Sequence, residues 1–470
     1  MPSPHVNRRT LIRTTAAGLL AAPALGALTS CASGGGENDA VEGVAKTDAN
    51  PFGVNPDAEL EVVIFDGGFG DQYAVDAEKI YEETYGAVDH TKTQEIQSRL
   101  QPRMVQGDPP DVIDNSGANA MDIAALIRND QVADLTQLLD APSLDDKGVT
   151  VRDTLMPGTV EMGQFGSDSV FRLCYAYHVY GQWYSASALE RLDAEYPRTW
   201  DEMISLCERA KGQGIAGWTY PGVYPYYLNF TLYPFIAKIG GLEVLQAMDN
   251  LEPNAWKHDA VRAAFEAYHE LVARDLILQG TPGMTHEDAQ AEWTEGHALF
   301  IPNGSWVENE AASTTPPDFD MAVGPPTPLD SSDALPFETL WASPGEPYIV
   351  PSQAPNVAGG MEFMRVMLGK ESAQNFTRLV SSLTCVRGAE QGLELGPGLA
   401  SAVAAIEAAG DNLILSRLPD WYKQLNDEGI GGAVASMMAG EIGVDEALNR
   451  CQQAADDTAA DDSIEKFQHA

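Results

Sequence analysis

Between residues 58 and 117 two hydrophobic periods alternate, and that alternation restricts the architectures open to the chain. "AELEVVIFDGG" sets Leu60, Val62 and Ile64 two apart and stops at Gly67 and Gly68, the pattern of a strand. Tyr73, Ala77, Ile80 and Tyr81 then recur at helical spacing as far as Gly86. A short polar strand and a helix through Ile96, Leu100 and Met104 follow, and "PPDVIDNSG" reads as a third strand running into a turn. Strand, helix, strand, helix, strand in that order needs crossover connections. A mainly parallel α/β sheet is therefore expected, with ligands at the carboxyl ends of its strands. Those ends are residues 66–70 and 114–117.

The first thirty residues carry Arg8, Arg9 and Arg13, no acidic side chain, and an apolar run over residues 14–28 broken by Pro23. A spanning helix needs about 20 apolar residues. A basic start with a shorter apolar run reads as an export signal, residues 1–30, and the paired arginines suggest the twin-arginine route. The run ends in "LTSC", which resembles the bacterial lipoprotein box. Cleavage before Cys31 would then leave its thiol to receive a diacylglycerol, on a chain exported to the outer face of the cell membrane. Residues 31–57 are Gly-rich and polar and read as a flexible tether.

Charge narrows the partners. Without the first thirty residues the 28 basic side chains fall to about 25 against 69 acidic ones, a net charge near −44. Such a surface repels nucleic-acid phosphates and anionic lipids, so no nucleic-acid partner is expected and a lipid must supply the membrane attachment. Cys174, Cys207, Cys385 and Cys451 form no CxxC pair, and the eight histidines form no HExxH, so neither a metal nor a cofactor is expected. Export permits disulfides, but the spacing does not say whether any form. The roughly 415 residues beyond the tether exceed one compact core, and two lobes are expected.

Further along, "TWDEMISLCERAKGQG" is a marked helix. Thr199 and Glu202 suit a capping box, Trp200, Met203, Ile204 and Cys207 form its apolar stripe, and Gly212 and Gly214 stop it. "HALFIPNGSWVENEA" reads as a buried strand, a turn and a helix start, with Ser305 and Glu308 as a second S-x-x-E box that pushes Trp306 out of the strand end. "AVGPPTPLDSSDALP" is a Pro-rich crossing, and "NVAGGMEFMRVMLGKESAQNF" and "EIGVDEALNRCQQAADD" read as helices.

Four of these stretches, in order, resemble the family 1 extracellular solute-binding lipoproteins of carbohydrate ABC transporters. They are "PPDVIDNSG", "YGQWYSASALERLDAEYPRTWDEM", "GHALFIPNGSW", and "AVGPPTP" with the helix after it. Ser185 departs from the family, which usually has Asn there. "FDGGFGDQYA" and "NFTLYPFIAKIGGLEVLQAMDNLEPNAWKHDAV" are most similar to actinobacterial binders of N-acetylglucosamine and N,N′-diacetylchitobiose. The resemblance implies a type II periplasmic-binding-protein-like fold of two hinged α/β lobes, each a mixed, mainly parallel sheet flanked by helices. Lobe one would be residues 58–175 and 325–380, and lobe two 176–324 and 381–470. It implies a monomer that captures sugar without chemistry and docks on permease subunits. A secreted glycoside hydrolase, or a receptor for another oligosaccharide, is the alternative.

A pyranose offers hydroxyls that need hydrogen bonds and C–H faces that pack on flat rings. "GWTYPGVYPYYLNFTLYPF", residues 217–235, has eight aromatic side chains and no charge. Trp218 and Tyr220 are expected to face the cleft and Tyr224, Tyr226 and Tyr227 its rim, while Phe230, Tyr233 and Phe235 fit a helical core stripe. Asp66, Phe69 and Asn115 follow strand ends. Asn303 and Trp306 share a turn, and Trp341, Glu346 and Tyr348 lie at another crossing. All are candidate ligand contacts.

Overall fold

The computed structural model describes residues 41–469; the expected export signal and lipidation at Cys31 lie outside the described residues. Strand β1 (Leu60–Phe65) pairs in parallel with β2 (Val88–Thr93) on one side and β3 (Val112–Asp114) on the other. The helix Gln72–Glu82 lays Tyr73, Ala77 and Tyr81 on the face that carries Val62 and Ile64. The helix Ile96–Gln106 lays Ile96, Leu100 and Met104 on the face that carries Val63. A strand covered on both faces must be apolar on both, which is why "VVI" sits at its centre. Packing begins earlier than the expected tether boundary. Phe52 and Val54 are buried in the same core, because Asn50 folds the chain back, its amide bonding the Val54 carbonyl at 2.9 Å and N–H at 2.8 Å.

Two long strands carry the architecture. β4 (Leu173–Ser185) has 13 residues, enough to pair with several partners in turn. The further strands are β5 (Ala216–Trp218), β6 (Ala298–Gly304), β7 (Met321–Gly324), β8 (Leu340–Ile349), β9 (Leu383–Thr384) and β10 (Leu413–Ile414). β4 runs antiparallel to β8 from Leu173↔Tyr348 to Tyr180↔Trp341, then antiparallel to β6 from Tyr180↔Gly304 to Tyr184↔Phe300. β8 in turn meets β3 through Asp114↔Tyr348. The sheet order β2-β1-β3-β8-β4-β6-β5 is therefore continuous, and every antiparallel pairing between these ten strands involves β4 or β8. The β1 lobe and the β6 lobe are joined by these two strands, the two-lobed α/β binding-protein fold.

The second lobe gathers the helices Trp200–Lys211, Asn229–Gly240, Asp259–Ala273 and Val444–Ala460 around one core. Thr199 caps the first of them by accepting the Glu202 N–H at 3.3 Å, while the Glu202 carboxylate takes the Arg198 N–H at 2.8 Å, one residue ahead of the expected reciprocal partner. The single helix expected over 356–376 is two, Val357–Met367 and Lys370–Val380, because Gly369 is extended between them. All four cysteines of the described chain are free and buried.

The Pro-rich crossing between β7 and β8 is pinned from below. Lys238, fully buried on the helix Asn229–Gly240, donates to the Pro326 carbonyl and, at 2.6 Å, to the Phe337 carbonyl. Lys238→Met would leave both carbonyls without a donor, at a cost of about 1–3 kcal/mol for each buried group left unmet. Urea unfolding of this variant should show a fall in stability of about 2–4 kcal/mol with an unchanged m-value.

Candidate functional site

Between the lobes lies a cleft of about 940 Å³. The loops after β1 and β3 form one wall, contributing Gly68, Phe69 and the stretch from Asn115 to Ile123. Tyr224, Tyr226, Tyr227, Phe230, Trp306, Asn309 and Glu310 form the other. The floor is His178 and Tyr180 of β4 with Trp341, Ser343 and Glu346 of β8. The wall at the carboxyl ends of β1 and β3 is where the alternation of strand and helix put it.

Trp306 is the centre of the aromatic wall. Four rings meet it nearly at right angles: His178 at 5.0 Å, Phe230 and Tyr180 at 5.7 Å, and Tyr227 at 6.0 Å between centroids. Edge-to-face contacts of this kind hold a ring in one orientation. The turn before it is equally constrained, since a Cβ on Gly304 would lie 2.1 Å from the indole. The expected capping box at this turn does not form. The Ser305 hydroxyl accepts the Val179 N–H at 3.2 Å, tying the turn to β4. The Glu308 carboxylate instead caps the helix Pro397–Ala409, accepting from Gly398 and Leu399 at 2.9 and 2.7 Å.

The structure brings Phe69, Asn115, Trp306, Trp341 and Glu346 together in the cleft. Asn115 lines it with both amide atoms committed, to the Met121 N–H at 2.8 Å and the Met121 carbonyl at 3.0 Å, so it shapes the loop after β3. The Trp341 indole N–H has no protein partner, and its ring tilts against Tyr180 at 4.7 Å.

The other five candidates lie elsewhere. Trp218 is 2 % exposed and packs edge-on against Tyr268 and Trp200, because helices cover the face of β5 that was expected to open on the cleft. Tyr220, 1 % exposed, continues into the same core. Asn303 is fully buried, its carbonyl taken by the Trp183 indole and its side-chain oxygen by the Gly304 N–H. Tyr348 bonds Tyr73 at 2.6 Å inside lobe one. Asp66 points away toward Lys92, 3.4 Å distant. Phe230, expected in the core, is buried there at 8 % exposure and also lines the cleft with the three rim tyrosines.

Sequence reasoning missed His178, Tyr180, Ser343, Asn309 and Glu310. The signal for the first two was a histidine and a tyrosine two apart on the same side of an apolar strand. Burial pushes the His178 imidazole down to about 3, so it is neutral at any physiological pH, and its Nδ1 has no protein partner. The two cationic side chains at the cleft are already neutralised: Arg172 pairs with Asp420 at 2.5 Å and Lys423 with Asp427 at 2.5 Å. An anionic solute therefore meets neutralised cations and several carboxylates, whereas an uncharged polar solute meets rings and neutral hydrogen-bonding groups.

At the floor two carboxyls meet. Asp114, fully buried at the end of β3, accepts the Ser116 hydroxyl and the Phe65 N–H, the latter at 3.2 Å. Glu346, held in the left-handed region at φ 53° in the middle of β8, is hydrogen-bonded to it. Burial first, and then their mutual repulsion, raises Glu346 well above the carboxylate range, and burial raises Asp114 too. A hydrogen bond between two carboxyls needs a proton, and burial and repulsion both favour keeping it. Two carboxyls in hydrogen-bond contact leave no room for a glycosidic oxygen or a water between them, as paired carboxylates acting on a glycoside require.

A two-walled cleft lined by rings and neutral hydrogen-bonding groups fits a solute receptor. Residues 71–374 match the family model "Bacterial extracellular solute-binding protein", and the chain belongs to that family of non-catalytic receptors, the solute-capturing components of ABC importers. It is 34% identical over 469 residues to the diacetylchitobiose binding protein NgcE of Streptomyces coelicolor, covering 98% of both chains. The fold is similar to a solved chitin oligosaccharide binding protein (TM-score 0.63, 16% identity, 82% of this chain and 93% of that one). It is also similar to the binding protein RafE in complex with raffinose (TM-score 0.67, 17% identity, 85% and 99%).

The carboxyl pair sets a pH dependence of stability. With folded pKa values raised above the unfolded ones, the folded protein keeps a proton that the unfolded chain releases from about pH 4 upward, so this pair's contribution falls as pH rises through that window. Glu346→Gln, a neutral stand-in for the protonated acid, should match the parent near pH 4 and have the higher Tm at pH 7. Calorimetric scans across that range check it, and a difference that stays flat with pH contradicts the shared proton.

Proposed function

We propose that this chain captures N,N′-diacetylchitobiose and N-acetylglucosamine between its lobes as the lipid-anchored receptor of an ABC importer. The observation that carries the reading is the cleft itself: rings around Trp306 facing uncharged hydrogen-bonding groups, with both cations neutralised. The full-length similarity to a diacetylchitobiose binding protein supports the choice of sugar. In this reading the rings of Trp306 and Phe69 pack on the C–H faces of the sugar. The neutral His178 and the Trp341 N–H serve its hydroxyls or acetamido groups. One lobe is built by residues 52–175 with 325–380 and the other by 176–324 with 381–470, and closure follows when one sugar touches both. Cys31 carries the lipid, and a monomer hands the unaltered sugar to the permease.

Titration calorimetry with N-acetylglucosamine, chitobiose, maltose, xylobiose and cellobiose tests the proposal. One-to-one binding of the first two in preference to the others is expected, and hydrolysis of chitobiose during incubation, or preference for another sugar, overturns it. Trp306→Ala should weaken chitobiose binding by about 1.5–3 kcal/mol, roughly ten- to a hundredfold in Kd, while the circular dichroism spectrum stays unchanged.

A further inference from the structure

Among the hydrogen bonds that join the two lobes, two run from a cleft side chain of lobe two to the loops after β1 and β3. The Asn309 amide, in the turn after Trp306, donates to the Gly68 carbonyl in the loop after β1. The Lys423 ammonium reaches the Ala118 carbonyl, in the loop after β3, at 3.5 Å. In both cases a side chain of lobe two meets a backbone carbonyl of lobe one, so the contact needs no particular side chain on the receiving loop. The fit around the first bond is close. A Cβ on Gly68 would lie 2.9 Å from the Glu310 carboxylate, which is itself held by Gln290 at 2.6 Å and His286 at 3.3 Å. Gly68 does not have the positive φ of Gly70, so its backbone does not demand glycine; the neighbouring lobe does.

We propose that Asn309 and Gly68 form a latch: a lobe-to-lobe hydrogen bond, made apart from any contact with solute, that holds the cleft closed and sets how long a captured solute stays. The latch deepens the capture reading and rests on it for its purpose, but its geometry is independent of which sugar binds. A net hydrogen bond of about 0.5–1.5 kcal/mol corresponds to roughly two- to tenfold in an equilibrium between closed and open forms. The bond forms only when the walls meet, so its loss acts on escape. Association from the open form is unaffected.

The test separates the latch from sugar contact. Spin labels at the exposed positions Glu83→Cys and Gln213→Cys, one on each lobe, report the inter-lobe distance with no sugar present. In that background Asn309→Ala and Gly68→Val should both shift the distribution toward longer distances. Stopped-flow chitobiose release should quicken roughly two- to tenfold for Asn309→Ala, with kon not lowered and the ranking of sugars unchanged. Distances that match the parent in both variants overturn the latch, as does an altered sugar ranking without opening, which would make Asn309 a sugar contact. If chitobiose does not bind the parent at all, the capture of that sugar fails while the distance measurement still judges the latch.

Discussion

The antiparallel pairing of β4 with β8 is the constraint on which the rest of the molecule depends. It is the ladder through which the sheet of the β1 lobe continues into that of the β6 lobe. Because the strands are long, they pass beneath the cleft and supply its floor. The alternation of their side chains then sends Cys174, His178 and Tyr180 upward, while Tyr175 and Tyr177 enter the cores beneath. A strand pair that serves both as joint and as floor couples the angle between the lobes to the groups a solute touches. Glu346, strained in the left-handed region in mid-strand and sharing a proton with Asp114, sits at that junction.

The floor of the cleft is kept close to neutral in a chain that is acidic at its surface and at the cleft rim. The cations at the cleft are cancelled by adjacent carboxylates, the imidazole on its floor is kept uncharged by burial, and a carboxyl pair keeps a proton. The result is a floor of rings and neutral polar groups below rims that keep carboxylates such as Asp122 and Glu287. It suits a solute whose hydroxyls and amides need partners and whose ring faces need rings. Solubility and solute choice are thereby separated: the first is set by the surface, the second by a few buried pairs.

The parts legible in the sequence were those governed by near neighbours. The two crossover units, the loops after β1 and β3, the turn that presents Trp306 and the helix capped by Thr199 all follow from periodicity and turn residues within a dozen positions. The errors fell where a second element decides. Ser305 and Glu308 have capping-box spacing, yet β4 and the helix Pro397–Ala409 offered them better partners. Asn115 looked like a free amide and is consumed by its own loop.

Trp218 and Trp306 mark the boundary most clearly. Each stands at or just past the end of a strand with a glycine one or two residues before it, and that pattern does not separate them. By itself the sequence determined that both tryptophans end strands of an α/β lobe and that one aromatic segment lies near the cleft. The tertiary structure decided that Trp200 and Tyr268, brought in by two helices, seal Trp218, and that His178, Tyr180 and Phe230 ring Trp306 but leave it at the cleft. Burial is a property of what packs against a side chain, and here the packing partners come from 18 to more than 100 residues away, beyond the reach of any local pattern.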